Sequence, residues 1–272
     1  MRVSIQQLLM AGTHFGHLTR RWNPKMRSYI FMAKKGIHII DLKLTKECIE
    51  KACEEIAKVS AAGKSVLFIG TKKQAKDIIR TEAQRCNSPY INERWLGVML
   101  TNFTTIRRSL KTLFAYEKKA SDGTYDLINK KERLTMEKER AKLDKVFGGI
   151  RDMIKLPGAI FIVDTKKESI AVSEARKLEI PIFAIVDTNS DPDLIDFPIP
   201  ANDDSFKSIG LITRMITDSV MEGQKVAVEL HPPKPPKQAE PSKRPPRKRH
   251  GRSSKGKDDQ TQQSETADQG SE

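Results

Sequence analysis

Three short stretches, "SVLFIG" (residues 65–70), "AIFIVD" (159–164) and "IFAIVD" (182–187), are apolar at nearly every position and rich in β-branched side chains. A strand with one face in water alternates apolar and polar residues. A strand that never alternates must be covered on both faces. Each run ends in Gly or Asp and hands over to a polar turn. Amphipathic segments of 3.6-residue period follow the first two, marked by Ala75, Ile78, Ile79 and Ala83, and by Ile170, Ala171, Ala175 and Leu178. Ile49, Ala52, Ile56 and Val59 mark a further helix, expected to open at Thr45. Phe206, Ile209, Ile212 and Ile216 mark another, expected to be capped by Asp204 or Ser205. Strand and helix in alternation build a parallel sheet with helices on both sides, an α/β domain.

One segment interrupts the alternation. Phe103, Ile106, Leu110 and Leu113 are spaced three, four and three apart, and Leu143, Val146, Ile150 and Met153 repeat that spacing beyond a turn at Ser121-Asp122-Gly123. This predicts an antiparallel coiled-coil hairpin over 103–153, inserted into an α/β domain formed by 1–102 and 154–230. Gly148-Gly149 is expected to break or kink the returning helix. Residues 130–145 carry seven basic and four acidic side chains, which suits a solvated hairpin stabilised by pairs one turn apart as well as an arm that touches a partner. Residues 231–272 contain 7 of the 14 prolines and the basic run "KRPPRKRHGR". Too little of this tail is apolar to offset the entropy of ordering it, so disorder is expected there.

The formal net charge is +14, from 49 Lys and Arg against 35 Asp and Glu. That excess points to a polyanionic partner. No stretch reaches the roughly 18 to 20 apolar residues of a spanning helix, and the apolar run at Leu8 is too short for a signal peptide, so a cytosolic location is expected. Cys48, Cys53 and Cys86 show no metal-binding spacing and read as small apolar side chains in a reducing compartment.

Two stretches imitate nucleotide sites. "GKS" (63–65) has Lys58 where a Walker A loop needs its first glycine, and it precedes its strand instead of following it. "FIGTKKQA" (68–75) does follow a strand and opens a helix, so free N–H groups with Lys72 and Lys73 could hold a phosphate, although the further glycines of a dinucleotide fingerprint are missing. His14 and His17 are three apart, but Gly16 between them argues against a continuous helix, and no Glu follows His14. Asp187, at the carboxyl end of its strand, and the pair Asp203-Asp204, before a helix, could lie on the same edge of the sheet, which would favour a metal. "VDTNSDP" (186–192) has the acid-rich look of a magnesium or phosphotransfer loop, and equally of turns capped by Asp, Asn and Ser. No nucleophile, base and orienting group assemble.

"LLMAGTHFGHLTRRWNPKM" (8–26) combines forked guanidinium donors, an aromatic plate and a point charge in Arg20, Arg21, Trp22, Asn23 and Lys25, a set suited to folded RNA. "NERWLGVMLTN" (92–102) with Arg107, Arg108 and Lys111 is a second such set, in which Arg94, Trp95 and Asn102 are the further candidates.

These stretches, with "YIFMAKKGIHIIDL", "RWLGVMLTNFTTI" and "AIVDTNSDPDLIDFPIPANDD", resemble in sequence and order the bacterial small-subunit ribosomal protein two family over roughly residues 3–226. Val98 stands where that family usually has a second Gly, and Gly158 where an Asp follows the proline. The resemblance implies a flavodoxin-like three-layer domain around about five parallel strands, with the hairpin as an inserted arm. It further implies a non-catalytic protein on the solvent side of the small subunit between head and body. There it binds small-subunit ribosomal RNA, joins late in assembly and helps anchor the largest small-subunit protein. Neither DNA nor a membrane is an implied partner. No cofactor is required, and His17, Asp187 and Asp203 match positions at which the family has carried a metal, here a structural zinc or magnesium ion. The competing expectations are a doubly wound enzyme acting on a phosphorylated substrate and an adaptor that binds protein through its coiled coil.

Overall fold

A computed structural model describes residues 3–123 and 128–230. The three apolar runs form the centre of a five-stranded parallel sheet: β4 (Val66–Ile69), β5 (Tyr90–Ile91), β6 (Ala159–Val163), β7 (Ile182–Val186) and β8 (Phe197–Pro200), in the order β5-β4-β6-β7-β8. Counted within the sheet this is 2-1-3-4-5, the flavodoxin-like order, whose switch point lies between its first and third strands, β4 and β6. Before it in the chain, β1 (Phe15–Leu18), β2 (Ile30–Lys34) and β3 (Ile37–Ile40) make a small antiparallel sheet in the order β1-β3-β2, preceded by the short helix α1 (Ile5–Met10).

Because successive side chains of a strand point to opposite faces, each parallel strand supplies two cores. Phe68, Phe161, Phe183 and Ile199 face one layer with α2 (Leu42–Ala61), α3 (Lys76–Arg85) and α7 (Phe206–Leu230). Leu67, Ile69, Ile160, Ile162, Ala184 and Val186 face the other, with α6 (Ser169–Lys177) and the bases of α4 (Phe103–Ser121) and α5 (Lys130–Phe147). The expected burial on both faces is observed: every residue of β4, β6 and β7 is buried.

Two expected helix starts are resolved by side-chain chemistry. Asp41, not Thr45, caps α2 by accepting the Lys43 N–H at 2.8 Å, while Thr45 is buried in the first turn and donates to Asp41 O and Pro200 O. Of the two candidates for α7, Ser205 accepts the Ser208 N–H at 3.4 Å. α5 ends at Phe147 and a single 3₁₀ turn, Gly148–Ile150, follows. A Cβ on Gly149 would lie 2.2 Å from Tyr90 O, so only glycine lets the returning chain press onto β5. Arg151 ties this corner to both helices through Glu117 at 2.8 Å and through Asp144. Ile106, Leu110, Leu113 and Phe147 are buried at the bases of α4 and α5. The expected tail, 231–272, lies outside the described residues.

The loop between β5 and α4 is built around one carboxylate. Glu174 of α6 is buried and accepts Trp95 Nε1–H at 3.0 Å, the backbone N–H groups of Val98, Leu100 and Thr101 at 2.7, 2.9 and 3.1 Å, and the Thr101 hydroxyl. Burial works to raise its pKa, but these donors outweigh it and hold the carboxyl below its ordinary range. The wrap forces Val98 to a φ of 63°, a left-handed conformation unfavourable to a β-branched residue. Gly158 has its own reason: a Cβ there would lie 2.4 Å from Cβ of Lys64, whose stem crosses it.

Two outcomes follow. Val98→Gly relieves the backbone and stabilises the protein by about 1 kcal/mol, read as a rise of about 2–4 °C in thermal midpoint. Glu174→Gln leaves donors unmatched and costs about 1–3 kcal/mol at neutral pH. Since the folded pKa of Glu174 is depressed, its contribution is full above the unfolded value and fades as pH falls through the folded one. The difference between wild type and Glu174→Gln in denaturant melts therefore shrinks on acidification, and a pH-independent difference would exclude the carboxylate's role.

Candidate metal centre and nucleic-acid interface

Parallel strands end on the same side, so the residues just past their carboxyl ends meet. Asp164 follows β6, Asp187 follows β7, Asp203 and Asp204 follow β8, and Lys72 stands three residues past β4. β1 brings His17 over this edge. It can do so because Gly16 has no side chain: a Cβ would lie 2.6 Å from the Thr188 methyl. The backbone N–H of His17 then donates to Thr188 Oγ1 at 2.9 Å, and its ring Nδ1 lies 3.0 Å from Asp187 Oδ2.

Asp187 and Asp203 are each about 1% exposed or less. Thr188 N–H and Oγ1–H donate to Asp187 Oδ1. Lys72 Nζ holds Asp203 Oδ1 at 2.8 Å and Asp204 Oδ1 at 2.6 Å, with Asp164 Oδ2 at 3.5 Å. Burial, reinforced by the Asp187 and Asp164 charges, pushes the Asp203 pKa up to about 7. The Asp187 hydrogen bond raises that of His17 against its burial. Burial opposes the Lys72 charge, but Asp203 and Asp204 prevail and hold its ammonium above the ordinary lysine range.

His17, Asp187 and Asp203 each offer one donor atom, and the three lie within 4.8 Å of one another. Asp203 Oδ2 is buried with no hydrogen-bond partner, as a carboxylate oxygen awaiting a cation would be. One imidazole and two carboxylates are a donor set suited to a divalent metal. His14, expected as a possible partner of His17, is not part of the set.

The candidate RNA contacts divide. Arg20, Arg21, Lys73, Arg94, Arg107, Arg108 and Lys111 are exposed and form no ion pair among the described residues. Trp22 is half-buried, its ring centroid 5.0 Å from that of His38. Asn23 accepts from the Lys25 backbone N–H, and its own N–H donates to Thr188 O. Lys25 is exposed but reaches Asp191 at 2.8 Å and Asp193 at 2.9 Å. Asn102 is exposed and accepts the hydroxyls of Thr104 and Thr105.

Two of the expected contacts are corrected. Trp95 is 6% exposed and its indole N–H is committed to Glu174, so it has no free face on which a base could stack. Lys72 is 14% exposed and faces three carboxylates, which would repel a phosphate. The expected phosphate loop is also self-occupied: the Glu168 carboxylate accepts both the backbone N–H of Thr71, at 3.1 Å, and its hydroxyl. Sequence reasoning placed Asp187 and the Asp203-Asp204 pair on this edge but left out Asp164. The signal was there, since "AIFIVD" and "IFAIVD" both end in Asp and neighbouring parallel strands align their ends.

The sequence model of a family described as ribosomal protein S2 matches residues 8–223. The small ribosomal subunit protein uS2 of Cytophaga hutchinsonii is 55% identical over 219 residues, covering 80% of this chain and 86% of that protein. The uS2 proteins of Chlorobaculum tepidum and Chloroherpeton thalassium are 53% and 54% identical over 228 and 225 residues, covering 84% and 83% of this chain and 92% and 90% of theirs. With a match over most of its length and relatives above half identity, the chain belongs to the ribosomal protein S2 family.

Proposed function

We propose that the α/β domain is an inert mount that grips small-subunit ribosomal RNA with cations displayed at its surface, seated on the solvent side between head and body. As a member of the ribosomal protein S2 family the protein is a structural component of the small ribosomal subunit and not an enzyme. The observation that carries the finer reading is the contrast between two kinds of cation. Lys72 is neutralised inside the fold, whereas Arg20, Arg21 and Lys73, and separately Arg94, Arg107, Arg108 and Lys111, stand exposed without an ion pair among the described residues. Exposed, unpaired cations give up little on meeting a phosphate and release its counterions. With Glu168 across Thr71, the position where related folds hold a ligand phosphate is closed, which fits binding without turnover.

Late entry into the assembling subunit and a part in anchoring the largest small-subunit protein belong to the same proposal. The small sheet supports the second: Phe15, Phe31 and Met32 are 47%, 70% and 47% exposed, apolar surface of the kind that protein partners cover. A divalent ion, zinc in preference to magnesium for this donor set, is proposed at His17, Asp187 and Asp203 as a structural clamp between the small sheet and the carboxyl edge of the large one. No helix of the described residues is long and apolar enough to cross a membrane.

RNA affinity, measured by filter binding to a small-subunit RNA fragment, falls with salt at a log–log slope of about −0.7 to −0.9 per phosphate contact. Replacing Arg107, Arg108 and Lys111 together by Ala reduces that slope by about 2 to 3; an unchanged slope would place RNA elsewhere. Trp22→Ala weakens RNA binding by about 1–3 kcal/mol, whereas Trp95→Ala destabilises the fold by about 3–5 kcal/mol. Elemental analysis of the purified protein gives near-stoichiometric zinc, lost in Asp203→Asn. A metal-free wild type would remove the ion from the proposal and leave the RNA reading standing.

A further inference from the structure

Each of the two buried carboxylates of the metal centre has one oxygen already committed. Thr188 takes Asp187 Oδ1, and Lys72 takes Asp203 Oδ1 at 2.8 Å. The other oxygens, Asp187 Oδ2, which lies beside His17 and also accepts the Asp203 backbone N–H at 3.4 Å, and the unpartnered Asp203 Oδ2, supply one donor apiece. The Lys72 ammonium also draws in Asp204 Oδ1 at 2.6 Å and stands 3.5 Å from Asp164 Oδ2. Those are the further carboxylates that could complete an oxygen shell around a larger or harder ion. The lysine side chain is 14% exposed, so a fixed positive charge occupies the place where a second cation or extra oxygen ligands would otherwise gather.

We propose that Lys72 is a specificity-determining residue of this centre, which rests on the metal reading given above. By engaging Asp203 Oδ1, Asp204 Oδ1 and Asp164 Oδ2 it leaves one imidazole and two single carboxylate oxygens facing inward, with Asp204 Oδ2, 3.6 Å from His17 Nε2 on the exposed side, as the one carboxylate oxygen left near a fourth position. A small ion content with four ligands, such as zinc, accepts that set with one further ligand. Calcium needs six to eight oxygens, and magnesium or manganese about six in octahedral array, and the lysine withholds them. Lys72 is thus assigned to ion selection and not to RNA, the role its sequence position suggested.

The test is competition between zinc and manganese on the full chain, with zinc content read by elemental analysis and bound manganese by its paramagnetic resonance signal. Wild type holds one zinc that millimolar manganese does not displace. Lys72→Met frees the three carboxylates and shifts the relative affinity toward manganese by about tenfold or more. Unchanged relative affinity in a folded Lys72→Met protein would overturn the assignment while leaving the zinc centre intact. A wild type that takes up neither ion would overturn the metal reading, and the selection role with it. Should Lys72→Met fail to fold, the double variant Asp164→Asn with Lys72→Met, in which one lost acid balances the lost cation, is held to the same criterion. The amide introduced by Asp164→Asn retains an oxygen for the Lys167 backbone N–H, which Asp164 Oδ1 accepts at 3.0 Å in the wild-type fold.

Discussion

A parallel sheet buried on both faces leaves polar chemistry only one place to go, the ends of its strands. In this chain β4, β6 and β7 are buried at every residue, so neither sheet face can carry a charge. The carboxyl edge receives Asp164, Asp187, Asp203 and Asp204 from neighbouring strands, and the low dielectric behind them makes their mutual repulsion strong. Everything polar that the fold does at its centre is a response to that concentration of acid. Lys72 neutralises one end of it, His17 leans over the other, and the donor set that remains is the one suited to a divalent ion.

The same constraint recurs wherever an acid is buried on the opposite layer. Glu174 remains ionised because five donors converge on it, and the cost is a strained Val98. Glu168 lies across Thr71 with burial pushing its pKa up and the Thr71 donors pulling it down. Both carboxylates sit where a different protein of this architecture would leave backbone N–H groups open to a ligand. Filling those positions from within closes them to a ligand, in keeping with a family whose members are structural and not enzymes.

Much of the architecture was legible in the residues. Continuous apolar runs placed three of the five parallel strands, and the 3.6-residue period placed the helices between them, because burial dictates both patterns locally. β5 and β8 escaped, one being only two residues long and the other "FPIP", whose prolines speak against a strand except at an edge, where it lies. The small antiparallel sheet escaped as well, since "IFMAK" is mostly exposed and has no buried face to impose alternation. His17, Asp187 and Asp203 were drawn together by the family resemblance, and the structure brings them within reach of one another.

The sequence by itself determined the layered α/β class, the basic surface and the acids at strand ends, since each follows from which side chains water will or will not accept. Only the tertiary structure decided which cation is neutralised. Lys72 and Lys73 are adjacent and chemically identical, yet one is closed in by three carboxylates from distant strands, Asp203 being 131 residues further along the chain, and the other is exposed. Trp22 and Trp95 divide in the same way, one half-exposed and one buried on Glu174. A side chain's partners across the fold are set by how the strands and helices pack, and no local pattern of residues contains that information.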